Sequence, residues 1–189
     1  LELGVLDDAE SEMPWDGKTY SVPDWNRDHT LRTAMRVSCL PCFQSVARKI
    51  GPARLGDWVT RFAYGNHDTS GAPERFWLDG ALRISPVQQI EFLRKLDEDK
   101  LPIQKRTSEI VKDVITLDVG QNHVLRGKTG LLRPPEERQF FGWFVGWVEL
   151  GPRRVYFATL LDAVEPDVDP VPVRRRLTET ILRSQQLLP

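Results

Sequence analysis

The sequence predicts an α+β fold: an antiparallel sheet with a helical region and a C-terminal helix packed on the sheet. Three observations carry this. Helical periodicity fills residues 31–115, strand periodicity takes over from about His123 to Leu161, and an amphipathic helix closes the chain from about Pro172. Helices and strands are segregated rather than alternating, which favours antiparallel neighbours over parallel crossovers. A chain of 189 residues with 40% hydrophobic residues is large enough for one core, and residues 1–189 read as a single domain.

Bulk charge narrows the partners. A net charge of -1 gives no basic face, so nucleic acid is not expected. No apolar run reaches the roughly 18 residues of a membrane span, and no secretory leader is legible.

Taken in order, Leu1–Val5 reads as the tail of an element such as a helix that stops at Asp7-Asp8. Residues 6–30 are polar and turn-rich, with Trp15 and Trp25 expected to pin the loop to the body. Asp28 or Thr30 caps a helical stretch beginning at Leu31. Pro41 starts a clearer helix, with Phe43, Val46, Ala47 and Ile50 at helical spacing and Gly51-Pro52 as its stop. Leu55, Trp58, Val59 and Phe62 mark the next helix. Residues 64–80 form a polar loop in which Phe76-Trp77-Leu78 must be buried. Ser85, Pro86 and Gln88 make a strong helix start with a capping box. Another helix is expected over Thr107–Ile115. Strands then follow at 123–128, 140–150 and 154–161, with Gly151-Pro152 turning between the last two. In the final helix Val173, Leu177, Ile181 and Leu182 are expected to face the body.

Cys39 and Cys42 form a C-x-x-C pair, which can serve redox chemistry or half a metal site. His29, His67 and His123 are scattered without ligand spacing, so no metal set is expected. The favoured reading is two small buried residues on the first turn of a helix.

Lys128-Thr129-Gly130 ends a short strand with a cation, a hydroxyl and a glycine, suited to holding an anionic substrate at a sheet edge. Alone the tripeptide is weak evidence. It gains weight from its company. Trp15-Asp16-Gly17, Trp25-Asn26-Arg27-Asp28, Ser38-Cys39-Leu40, Tyr64-Gly65-Asn66, Phe76-Trp77-Leu78 and Ile84-Ser85-Pro86 precede it, and Gly142–Glu149 follows. In this order and spacing the chain resembles the class D β-lactamases (oxacillinases), over essentially its whole length. The fold implied is that of serine β-lactamases and penicillin-binding transpeptidases.

The departure is the nucleophile. The family uses the serine of an S-x-x-K motif, and no serine of this chain has a lysine three places on. The resemblance implies that the chain begins within the nucleophile helix, with S-x-x-K and the N-terminal strands upstream of Leu1. The implied reaction is β-lactam hydrolysis through a serine acyl-enzyme, with a CO2-carbamylated lysine as base and no other cofactor. Both of those residues would lie outside this chain.

Within the chain, the resemblance gives Ser38 a proton relay toward the leaving nitrogen, where the residues alone favour a cap of the helix at Pro41. Leu40 replaces the family's usual valine and would crowd the carbamate. Lys128 would be a fixed cation beside Ser38 and the substrate carboxylate, otherwise a solvated strand-end lysine. Thr129 would donate to that carboxylate, Gly130 would allow close approach, and the Leu131 N–H would be an oxyanion donor. Arg174 would grip the carboxylate, or with Arg175 and Arg176 simply open a solvated helix. Trp77 would donate its indole N–H to the carbamate, or serve as plain core. Tyr64 and Asn66 are expected to shape their loop.

The resemblance also implies β-lactams as partners, a periplasmic location and antibiotic resistance, and leaves a homodimer open. The competing expectations are a penicillin-sensing receptor domain that is acylated without turnover, a thiol–disulfide protein using Cys39 and Cys42, and a non-catalytic remnant.

Overall fold

A computed structural model describes residues 1–78, 80–132, 139–164 and 169–189, and the chain divides into two compact units. The first comprises Leu1–Arg83 with Leu96–Ile115, the second Ile84–Lys95 with Thr116–Pro189.

In the first unit, residues 1–10 run through turns rather than a helix tail. Two short strands, β1 (Glu12–Met13) and β2 (His29–Thr30), pair antiparallel. Of the two tryptophans expected to pin this region, Trp25 does so, donating its indole N–H to the Val37 carbonyl at 3.2 Å. Trp15 is 41% exposed, and its indole N–H donates to the nearby Lys18 carbonyl at 2.8 Å.

Thr30 caps helix α1 (Leu31–Val37) in a reciprocal capping box with Thr33. The other candidate, Asp28, instead accepts the Trp15 backbone N–H at 2.8 Å. Helix α2 (Leu40–Ile50) follows almost at once and ends at Gly51, whose φ of 83° explains the glycine. Pro52 then opens α3 (Pro52–Arg61). Helix α5 (Lys105–Val114) packs on α1, and the buried Ser108 hydroxyl donates to Asp99 at 2.6 Å. Lys112 grips the same carboxylate at 2.7 Å, and these two contacts hold Asp99 below the usual carboxylate range.

The loop after α3 closes on Asn66. Its amide N–H donates to the Ala81 carbonyl at 2.9 Å, and its side-chain oxygen accepts the backbone N–H groups of Arg83 and Asp68 at 2.9 and 3.2 Å. Loop shaping by Asn66 is therefore a matter of three hydrogen bonds. Because the side chain is solvent-exposed, Asn66→Ala should cost about 1–2 kcal/mol, read as a shift in urea midpoint with unchanged slope.

In the second unit, α4 (Pro86–Asp97, of which the part up to Lys95 belongs to this unit) starts as its sequence demands. The Ser85 N–H donates to Gln88 Oε1 at 3.0 Å and the Gln88 N–H donates to Ser85 Oγ at 3.2 Å. Strands β3 (Thr116–Val119), β4 (Val124–Leu132), β5 (Gln139–Leu150) and β6 (Arg153–Val164) form an antiparallel sheet in the order β3-β4-β5-β6. Its core is Leu125, Phe144, Val148 and Phe157 from one sheet face, with Leu182 and Leu187 from the chain end. Phe144 and Phe157 lie 4.9 Å apart between ring centroids.

Helix α6 (Pro170–Ser184) packs on β4, β5 and β6, as expected of the C-terminal helix. Of the expected face, Leu182 is buried and Val173 half-buried, but the rest of the buried stripe differs. Leu177 and Ile181 are 41% and 50% exposed, while Arg174, Thr178 and Leu182 are buried at 7%, 3% and 4%. That stripe recurs every four residues and is mostly polar. It is tolerated because the sheet satisfies it: Thr178 donates to Thr159 Oγ1 at 2.7 Å or back to the Arg174 carbonyl at 2.9 Å.

Candidate active site

Strand β4 carries the Lys128–Leu131 segment, and the segment sits inside the strand rather than at its end. Pairing with β5 runs without a break from Val124↔Glu149 to Leu132↔Phe141, whereas pairing with β3 stops at Arg126. Among the described residues, nothing in the sheet pairs with the outer side of residues 128–132. This is an open sheet edge, and strand alternation places its side chains in turn on the two faces. Lys128 lies on the face of Val145 and Trp147, and Thr129 on the face of Phe144, which α6 covers.

Two cations meet at this edge. Lys128 Nζ donates to the Thr129 carbonyl at 3.0 Å. Burial, reinforced by the neighbouring Arg174 charge, pushes its pKa down to about 8. It is therefore not the solvated strand-end lysine that is the default for its type. Arg174 comes from the α6 side and donates through Nη1 to the Gly130 carbonyl at 2.7 Å, while its buried Nε has no hydrogen-bond partner among the described residues. It is not part of a solvated helix start, unlike its exposed neighbour Arg176. A buried guanidinium donor without a partner is costly, so this position is one where an added acceptor would be favoured.

Gly130 itself is under no steric demand from the fold. A Cβ there would meet Trp143 Cβ at 3.5 Å, an ordinary contact. The structure thus brings Lys128, Thr129, Gly130, Leu131 and Arg174 together on one edge.

The remaining candidates belong to the first unit. Ser38 is the C-cap of α1, held in the left-handed region with φ 52° and ψ 49°. It does not cap α2. That position is Cys39, which makes no side-chain cap bond. A non-glycine residue at positive φ carries strain, of the kind that clusters at functional positions. Leu40, half-buried, opens α2 directly after it. Cys39 and Cys42 are buried at the start of α2, as expected, and are joined to each other in a disulfide. Trp77 packs edge-on against the buried Phe76 at 5.0 Å, and among the described residues no protein group accepts its indole N–H. Burial pushes the Tyr64 phenol up to about 12, so it stays a neutral donor.

Residues 126, 147, 149 and 154 form a cluster that their sequence positions do not reveal. Glu149 pairs with Arg126 and, at 3.1 Å, with Arg154, and accepts the Trp147 indole N–H at 3.3 Å. Only the antiparallel register makes them neighbours, since Arg126 faces Trp147 and Glu149 faces Arg154.

An α+β unit with an anion-ready KTG edge and a C-terminal helix behind it defines a class, that of the penicillin-binding transpeptidase fold. A model of the penicillin binding protein transpeptidase domain matches residues 1–183. Within that class the chain belongs to the class D β-lactamases. It is 41% identical to β-lactamase OXA-48 of Klebsiella pneumoniae over 189 residues, which is all of this chain and 70% of that protein. The class D β-lactamase YbXI from Nostoc superposes with a TM-score of 0.92 at 36% identity, with 100% of this chain and 78% of that one covered. The C-terminal domain of the Bacillus licheniformis BlaR penicillin receptor gives a TM-score of 0.93 at 33% identity, covering 100% and 75%. Among the described residues, no helix is long and apolar enough to cross a membrane.

Proposed function

We propose that this chain forms part of a serine β-lactamase that hydrolyses β-lactams through an acyl-enzyme and confers resistance to them. A carbamylated lysine acts as base, and the S-x-x-K pair of nucleophile and base is not among the residues of this sequence. The observation that carries the reading is the Lys128–Leu131 edge: open, backed by a buried lysine and by an arginine with an unpaired donor, and closed by a glycine that the fold does not require.

Each residue takes a defined part. Lys128 and Arg174 supply positive charge for the substrate carboxylate, and Thr129 donates its hydroxyl to it. Gly130 lets the ligand approach the strand backbone, and the Leu131 N–H stabilises the oxyanion. Ser38 passes a proton to the leaving nitrogen, and Trp77 donates its indole N–H to the carbamate. Leu40 narrows the space beside the base and slows deacylation. The location that goes with this reading is the periplasm.

A second reading, acylation without turnover, has its own support in the similarity to the BlaR receptor domain. One experiment separates the two. The native protein is mixed with a penicillin and followed by intact mass. Hydrolysis predicts a transient adduct, then release of ring-opened product at a rate that rises with added bicarbonate. A stable adduct would establish the receptor reading, and a native protein that forms no adduct would sink both.

A further inference from the structure

Cys39, Cys42 and His29 form a group that the β-lactam reading does not use. Cys39 is fully buried, Cys42 is 8% exposed and His29 is 4% exposed. One ring nitrogen of His29 and the two Sγ atoms all lie within 4.8 Å of one another. Spacing along the chain does not suggest this, because the histidine stands ten places before Cys39. Pairing of β2 with β1 and the short α1 fold it back against the first turn of α2.

Three features suit this group to a metal. A C-x-x-C pair on the first turn of a helix can chelate through both sulfurs, as structural zinc sites do. Cys39 is the N-cap of α2, where the helix dipole favours thiolates. The imidazole is already oriented by a backbone group. His29 Nε2 lies 2.8 Å from the Asp24 carbonyl, and a carbonyl only accepts, so Nε2 carries the proton. In the neutral ring Nδ1 then keeps its lone pair, and among the described residues the Thr33 hydroxyl lies 3.1 Å from it. Anchoring the second nitrogen to a carbonyl is the usual support of a metal-bound histidine.

We propose that reduction of the Cys39–Cys42 disulfide opens a soft-metal site, in which His29, Cys39 and Cys42 bind Zn2+ and a fourth position stays open for solvent. The disulfide and the ion compete for the same sulfurs. An external phosphine or dithiol supplies two electrons, two protons convert the disulfide to two thiols, and each thiol releases its proton as it takes the metal. Two sulfurs and one nitrogen favour zinc over magnesium or calcium. The inference stands apart from the proposed hydrolysis and is read without any β-lactam.

The test uses the native protein, reduced anaerobically with a phosphine, exposed to zinc chloride and desalted. Zinc is measured by atomic emission and thiols by maleimide mass shift. The expected result is about one zinc per chain in the reduced protein and almost none in the oxidised protein or in Cys39→Ser/Cys42→Ser. His29→Gln should weaken zinc binding roughly tenfold or more in competition with a chromophoric chelator. Cobalt in place of zinc should give a thiolate charge-transfer band that the double serine variant lacks, and zinc should raise the thermal midpoint of the reduced protein alone. The proposal is overturned if reduced protein holds no more zinc than the double serine variant, or if His29→Gln binds as tightly as the parent. It is equally overturned if reduction abolishes the cooperative thermal transition and zinc does not restore it.

Discussion

Replacing Lys128 with alanine should lower kcat/KM toward a penicillin about a hundredfold while leaving thermal stability unchanged or raised. In the proposed function Lys128 supplies charge to the substrate carboxylate, and deleting one preorganised charged donor typically removes roughly 3 kcal/mol of transition-state stabilisation. Stability moves the other way because the side chain is a buried cation next to Arg174, a cost to folding that alanine relieves. A merely structural lysine would give the opposite pair of results, so activity and thermal midpoint must be measured on the same preparation.

The pH dependence of Lys128 follows with its sign fixed. Its folded-state pKa of about 8 lies below the ordinary lysine value of 10.5. Below about 8 both folded and unfolded chains carry the proton, and the folding penalty is fully present. Between 8 and 10.5 only the unfolded chain keeps it, so stability rises with pH across that window. The gain is at most on the order of 3 kcal/mol, and Lys128→Met should abolish it. Over the same window kcat/KM should fall, because the free enzyme loses the charge that meets the substrate. Activity and stability therefore diverge above pH 8. An activity limb that persists unchanged in Lys128→Arg would assign it to another group.

What could be read from the sequence was whatever depends on neighbours along the chain. The Ser85–Gln88 capping box, the Gly51-Pro52 stop and the alternation of β5 all rest on local spacing, and all stand where expected. Strand β3 escaped because its residues are mostly exposed and show no apolar alternation. The α6 face escaped for a different reason. Hydrophobic periodicity selects Leu177 and Ile181, but the sheet offers acceptors, the Gly130 carbonyl and Thr159, that make Arg174 and Thr178 the better residues to bury. A period of apolar residues cannot see such partners. His29 was passed over by the same logic, since its approach to Cys39 and Cys42 exists only after β2 and α1 have formed. The KTG edge was recognisable as a motif, but its character as a site depends on the early end of β3 pairing and on burial of Lys128, both properties of the folded sheet.

Gly146→Ala should destabilise the second unit by about 3 kcal/mol or more, lowering the thermal midpoint by roughly 10 °C, while Gly130→Ala should cost within about 1 kcal/mol. The two glycines lie in adjacent paired strands, so the difference is a matter of geometry. A Cβ on Gly146 would collide with the Arg126 carbonyl oxygen and fall 2.7 Å from Gly127 Cα. Those are backbone atoms of the facing strand, and no rotamer change moves them. Relief requires β4 and β5 to separate at the Gly127↔Gly146 pair, next to Trp147 and Val148, both fully buried. At Gly130 the nearest atom would be the Trp143 Cβ at 3.5 Å, so alanine fits without any shift. Gly130→Ala should instead raise KM for a penicillin, since the added methyl stands where the ligand meets the strand. Equal losses of stability in the two variants would mean that Gly130 serves the sheet rather than a ligand. A stable Gly130→Ala with impaired substrate binding would mark the edge as built for something outside the protein.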